Sequence, residues 1–179
     1  MKKRLLHRIL VVICILSVSM NIVSYVRNDA FKKKNLLITY TCLGNISAIL
    51  GDYKHDIESR NLTNNLDRLL EGEFWKLDLV LDNLNTLFGT PVEGRYSSIF
   101  ISLMQQKKAC DDEDFIIILA QYQEIFDEAL LRLSNEVVAN ANENEEHIKR
   151  PNSALSAYQI AHILNNSLAQ IGDSNMNQE

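Results

Sequence analysis

Cysteine, proline and glycine are scarce in this chain of 179 residues, with three, two and six of each. Three cysteines exclude a disulfide-stapled scaffold: outside the apolar N-terminal run that holds Cys14, the one available bridge is Cys42 to Cys110. Nothing local pairs those two, so the expectation is of ordinary buried thiols. Two prolines, Pro91 and Pro151, leave long stretches without the strongest helix breaker. Four histidines are few, and no Gly-x-Ser-x-Gly, phosphate-binding glycine loop, paired-cysteine motif or His-Glu-x-x-His occurs. The sequence therefore nominates no catalytic, cofactor-binding or metal-binding residue, although an active site built from scattered side chains would leave no such signature. The expectation is of a protein that is not an enzyme and needs no cofactor.

Basic residues are also short after residue 34. Residues 1–34 carry eight Lys or Arg and one acid, Asp29, a net of +7, whereas residues 35–179 carry ten against 22, a net of −12. Nucleic-acid binding draws on neutralised phosphates and wants a basic face, so this balance excludes it as a partner.

What is present begins at the N-terminus. Lys2, Lys3, Arg4 and Arg8 precede an apolar run from Ile9 to Val26, closed by Arg27. Eighteen helical residues span roughly 27 Å, just enough for a bilayer core of about 30 Å. Ser17, Ser19 and Ser24 can bond back to their own helix, but Asn21 has no such local solution in lipid. The run reads as a marginal membrane anchor whose first partner is the lipid bilayer. Its rival is a cleavable signal peptide, with Ile9 to Leu16 as the apolar core and Ser17 and Ser19 near the cut. Resumption of apolar character at Ile22, Val23 and Val26 favours the uncleaved anchor. Cys14 lies mid-run and reads as lipid-facing filler.

Orientation by positive charge is nearly tied, with four basic residues before the run and Arg27, Lys32, Lys33 and Lys34 after it. A whole C-terminal domain crosses largely regardless of charge, so the expectation is a single-pass protein of the cell membrane with its N-terminus cytoplasmic and its domain outside. A cleaved leader would make the product secreted. Lys32, Lys33 and Lys34 are expected to be solvated and snorkelling, with contact to anionic lipid the sharper alternative.

The remainder reads as all-α: an N-terminal transmembrane helix followed by an antiparallel bundle of four or five amphipathic helices. Its parts are a leader and anchor over 1–28, a bundle over 29–171 and a disordered tail over 172–179. Leu36, Tyr40, Leu43, Ile46, Leu50, Tyr53 and Ile57 recur at three and four, a helical core face, with a kink near Gly51 considered. A second span over residues 36–50 is rejected for its length and for Asn45. Residues 61–88 form a long amphipathic helix through Leu62, Leu66, Leu69, Leu70, Leu77, Leu81, Leu84 and Leu87, with Phe74 and Trp75 expected to pack rather than to form a contact surface. Gly89 to Gly94 is a loop around Pro91, and a shorter helix starts at Ser97 or Ser98 and ends at Lys107 and Lys108.

Asp111 to Asp114 opens the next helix with acids suited to its first turn; without the alternating ligands and glycine of an EF-hand loop, capping is preferred to a calcium site. Phe115, Ile118, Leu119, Tyr122, Ile125, Phe126, Ala129, Leu130, Leu133 and Val137 form a seam expected to meet the 61–88 stripe. Residues 140–150 read as a frayed end and linker. A last helix over 153–171 buries Leu155, Tyr158, Ile160, Ile163, Leu164 and Leu168 and stops at Gly172.

His55 beside Asp52 and Asp56, and His147 beside Glu143, have some metal-ligand character but do not make a site; His162 reads as a boundary residue. Sequons at Asn45, Asn61 and Asn165 matter only in a eukaryotic secretory pathway. The leading expectation is a membrane-tethered, extracytoplasmic helical interaction or accessory module with an unidentified protein partner. The alternative is an extracytoplasmic sensor or small-ligand binder acting with a partner.

Overall fold

A computed structural model describes residues 2–60, 65–91, 94–135 and 150–176. Five helices account for nearly all of them: α1 Lys2–Ser59, α2 Leu66–Phe88, α3 Tyr96–Ala109, α4 Asp112–Leu133 and α5 Ala157–Met176. The only extended pairing among the described residues is a two-residue antiparallel ladder, β1 Ser134–Asn135 with β2 Arg150–Pro151. The chain is all-α and forms two compact units, Met1–Lys34 and Asn35–Glu179. Helix α1 contributes to both.

In the first unit the described backbone, residues 2–34, is helical, and the side chains of residues 10–26 are exposed. Ser19 donates its hydroxyl to the Ile15 carbonyl at 2.8 Å, the back-bonding that lets serine sit in an apolar helix.

The second unit has its own core. Leu43, Ile46 and Leu50 of α1, Leu70, Leu77 and Leu81 of α2, Leu119 and Leu133 of α4, and Ile160 and Leu164 of α5 are all buried. At its centre Phe74 packs on Tyr96, Phe100 and Phe126, with ring centroids 6.3, 6.3 and 5.7 Å away. Such aromatic pairs add about 0.5–1.5 kcal/mol each beyond their buried area. The α4 seam and the α2 helix meet through Phe74 and Phe126, and the α4 backbone also approaches α5, as the α2 backbone does α3 and α5.

Several boundaries differ from the sequence expectation, each for a physical reason. Helix α1 runs through Gly51 without a break. A Cβ built on Gly51 would stand 3.3 Å from the side-chain amide of Gln123 on α4, the end of a flexible side chain that would have to give by a few tenths of an ångström. Helix α2 begins at Leu66; Asn61 and Leu62 lie outside the described residues. It ends as expected at Gly89, whose φ of 63° is the left-handed geometry that glycine adopts without strain.

Helix α3 starts at Tyr96, so Ser97 and Ser98 fall inside its first turn and neither caps it. Asp111 does cap α4, its side chain accepting from the Asp114 N–H at 3.0 Å.

Helix α5 starts later than expected, at Ala157. Ser156 and Gln159 form a reciprocal capping box there: Gln159 N–H donates to Ser156 Oγ at 3.2 Å, and Ser156 N–H to Gln159 Oε1 at 2.8 Å. The helix continues through Gly172 to Met176, because glycine ends a helix only where the backbone turns left-handed. The helical residues 173–176 replace the start of the expected tail, and residues 177–179 lie outside the described residues, as does the expected linker apart from Arg150. Four packing expectations are corrected. Trp75 is 60 % exposed and Tyr158 also 60 %, and Leu69 and Leu87 face outward.

Candidate functional site: an uncovered apolar helix and a surface cleft

Eleven aliphatic side chains between Leu10 and Val26 are exposed along one helix face after another: Leu10, Val11, Val12, Ile13, Ile15, Leu16, Val18, Met20, Ile22, Val23 and Val26. Removing each from water is worth about 1.5–3 kcal/mol, so the run forgoes on the order of 15–30 kcal/mol if it stays wet. Its backbone is already satisfied within the helix, the condition for entering hydrocarbon. Among the described residues this is the one helix long and apolar enough to cross a membrane. Cys14 is exposed within it. Beyond the run, Asp29 accepts from Lys32 at 3.3 Å and from Lys33 at 2.7 Å. The hydrogen bond from Lys33 holds the Asp29 carboxyl below its ordinary range. Two of the three clustered lysines are therefore ion-paired rather than simply solvated.

Among the described residues the second unit holds several polar contacts between helices, one of them Ser47 of α1 donating to Asp127 of α4 at 2.6 Å, and three larger junctions beside it. Asp78 of α2, only 4 % exposed, caps α3 from outside. It accepts from Tyr96 N–H at 2.6 Å, Ser97 N–H at 3.1 Å and Ser97 Oγ at 2.6 Å. These satisfy donors that a helix N-terminus otherwise leaves unpaired. Next to it Arg95 meets Asp82 at 2.8 Å, a hydrogen bond that raises the Arg95 pKa.

Tyr96 is fully buried. Its hydroxyl donates to the Leu164 carbonyl at 2.9 Å and shares a 2.6 Å hydrogen bond with Ser167, tying α3 to α5. Burial pushes its pKa up.

The third junction joins α1, α2 and α3. Tyr53 donates to Asp67 Oδ1 at 2.5 Å, while Lys107 donates to the Tyr53 hydroxyl and lies 3.2 and 3.3 Å from the two Asp67 oxygens. Its ammonium also stands 4.7 Å from the Tyr53 ring centroid. Burial, then the bond to Asp67, raises the Tyr53 pKa, so the phenol is a donor at neutral pH and not a base.

The candidate residues from the sequence do not converge. His55 is exposed, and His147 with Glu143 lies outside the described residues. His162 is exposed beside Tyr158 and within 3.2 Å of the Asn166 amide, in a hollow of about 80 Å³ with no carboxylate in its lining. Among the described residues no group of three His, Cys, Asp or Glu could hold a metal. Cys42 and Cys110 are not bonded to each other. The Cys42 thiol is buried and its pKa is pushed up to about 12, by desolvation first and by neighbouring Glu73 second. Glu73 itself is buried, with Oε1 on Lys76 at 2.7 Å and Oε2 without a hydrogen bond. Asn165 is 6 % exposed and its amide donates to the Pro91 carbonyl at 2.9 Å, so that sequon is folded into the core.

A cleft of about 420 Å³ opens between α3 and α5, lined by Arg95, Ser98 and Ser102 on one side and Asn165, Leu168 and Ile171 on the other. That volume is within the range that holds small ligands. Neither the cleft nor the Asp78, Tyr96 and Tyr53 junctions were legible in the sequence, since each joins residues far apart in the chain. The Ser156 to Gln159 capping box was also missed, the helix having been started at Ser153, although the Ser-x-x-Gln spacing could have marked it.

Comparison with family models, with curated proteins and with solved structures returned no match.

Proposed function

We propose that the chain is a membrane-tethered helical interaction module, held by residues 9–26 as an uncleaved single-pass anchor and presenting its acidic bundle outside the cell. One observation carries this reading: a helical run of exposed aliphatic side chains beside a unit that already has a complete core of its own. The tens of kcal/mol at stake outweigh the cost of one amide, Asn21, in lipid. Nothing among the described residues supplies a convergent catalytic group, and the module acts by contact with a protein partner.

Protease treatment of intact cells tests the topology. The bundle should be digested while an N-terminal tag stays protected; protection of the bundle until the cells are opened would reverse the orientation. For the partner, the full-length protein is cross-linked in intact membranes, where a saturable adduct with an envelope protein is expected and its absence would count against the module.

The α3–α5 cleft favours a second reading, an extracytoplasmic domain that binds a small ligand and acts through a partner. A ligand bound to the native state must raise its stability, so a thermal-shift screen of small carboxylates, amino acids and sugars should find a stabilising compound whose effect is lost on Ser102→Trp. A blank screen would remove this reading and leave the first untouched.

A further inference from the structure

The polar side chains of the apolar run fall on one stripe of the helix. Cys14, Ser17, Asn21, Ser24 and Asn28 are spaced three, four, three and four, which at about 100° per residue confines them to roughly 80° of the circumference. Ser19 lies on the far side, where its hydroxyl is bonded to Ile15. The rest of residues 10–26 is apolar but for Tyr25, which keeps a phenol. Asn21 stands at the centre of the stripe and is exposed. A carboxamide has two donor hydrogens and an acceptor oxygen, and the helical backbone around it has already spent its own groups. In hydrocarbon such a side chain requires a polar partner from another chain.

We infer that residues 14–28 are a parallel self-association seam, with Asn21 hydrogen-bonded to Asn21 of a second copy. The proposal rests on the membrane-spanning reading and adds the identity of what covers the stripe. Three features select a second copy. All copies enter the bilayer in the same sense, so the helices pair in parallel, where equivalent residues come face to face. The three-four repeat is the a/d spacing of a left-handed pair, and asparagine at an a position fixes register in two-stranded assemblies. An amide is also self-complementary, offering donor and acceptor to an identical group across the axis. The serines at 17 and 24 allow the backbones to approach, as small residues do between membrane helices. Cys14, one heptad before Asn21, would then face Cys14 of the other copy.

That last consequence supplies the test. Full-length protein carrying Cys110→Ser is purified and reconstituted into phosphatidylcholine vesicles, which leaves Cys14 as the one thiol that is not buried. Copper phenanthroline with dioxygen takes the two electrons and two protons released as the disulfide forms. A covalent dimer is expected, because facing a positions bring Cα atoms within the about 4.4–6.8 Å that a disulfide needs. Moving the thiol to the opposite side, Cys14→Ser with Val12→Cys, should abolish it.

Asn21→Leu makes the run more apolar and so preserves insertion. It should lower association about 5- to 30-fold, the equivalent of one lost interhelical hydrogen bond, and Asn21→Gln should restore much of it. Equal cross-linking from positions 12 and 14, or an Asn21→Leu variant that associates like the parent, overturns the seam. Parallel oxidation in native membranes should give the same dimer; an adduct with a different protein in its place overturns the second copy as occupant. Alkali extraction of the same vesicles separates the two claims: protein that is released was never embedded, which fails the anchor, whereas embedded protein without the dimer fails only the seam.

Discussion

Asp78→Ala offers the sharpest test of how the bundle is held together. The carboxylate accepts three hydrogen bonds from the first turn of α3 while 4 % exposed, so its removal leaves the Tyr96 and Ser97 N–H groups and the Ser97 hydroxyl facing a small void. Loss of a helix cap alone costs about 0.5–2 kcal/mol. Each buried donor left without a partner adds about 1–3 kcal/mol, partly recovered where water can enter. A total of about 3–5 kcal/mol is expected, a large share of the roughly 5–15 kcal/mol available to a domain of this size. At about 2–4 °C per kcal/mol the thermal midpoint should fall by on the order of 6–20 °C. Circular dichroism of the full-length protein in detergent micelles reads both the urea and the thermal midpoint. Asp82→Asn is the control, since its ion pair with Arg95 is half exposed on both sides and should contribute about 1 kcal/mol or less. If Asp78→Ala costs no more than Asp82→Asn, the junction is not what joins α2 to α3.

Three further outcomes follow from the packing. Phe74→Ala should cost about 3–5 kcal/mol and Trp75→Ala no more than about 0.5 kcal/mol, because the first lies in the aromatic core and the second is exposed; similar values in urea denaturation would contradict the placement of α2. Ser156→Ala should cost about 1 kcal/mol and fray the start of α5, seen as faster amide exchange at residues 157–160; unchanged exchange there would refute the cap. Stability should fall in alkali. The folded state keeps the Cys42 proton up to about pH 12 whereas the unfolded thiol loses it near its ordinary value of 9.0, so the unfolded chain binds fewer protons between these limits. Folding free energy then drops by up to about 1.4 kcal/mol per pH unit from this group, and Tyr53 and Tyr96 add to it in the same direction. Urea midpoints at pH 8 and pH 10.5 measure the slope, which should be shallower in Cys42→Ala.

The helices were legible because a three-four apolar repeat survives any detail of packing; Leu70, Leu77, Leu81 and Leu84, or Ile118, Tyr122 and Phe126, face inward as their spacing requires. Neighbours in sequence were harder. Phe74 and Trp75 stand about 100° apart on the helix, so both cannot face one core, and counting apolar residues does not say which turns out. Glycine was ambiguous for a similar reason. Gly89 and Gly172 look alike in sequence, but only Gly89 takes a positive φ and ends its helix. The boundary of α3 was hidden because its cap comes from Asp78, 18 positions earlier on another helix, where serine at 97 or 98 looked like the natural choice. At the N-terminus the run of aliphatic residues was plain, while the position of its polar side chains on one stripe emerges only when they are placed around the helix.

Everything proposed for this chain depends on residues 9–26 remaining as a bilayer-spanning anchor. Alkaline extraction of membranes carrying the full-length protein, followed by intact mass of what stays in the pellet, tests it in one measurement. An embedded protein at the undiminished 20.5 kDa is expected. A soluble protein, or one shortened by the loss of its apolar leader, would contradict it.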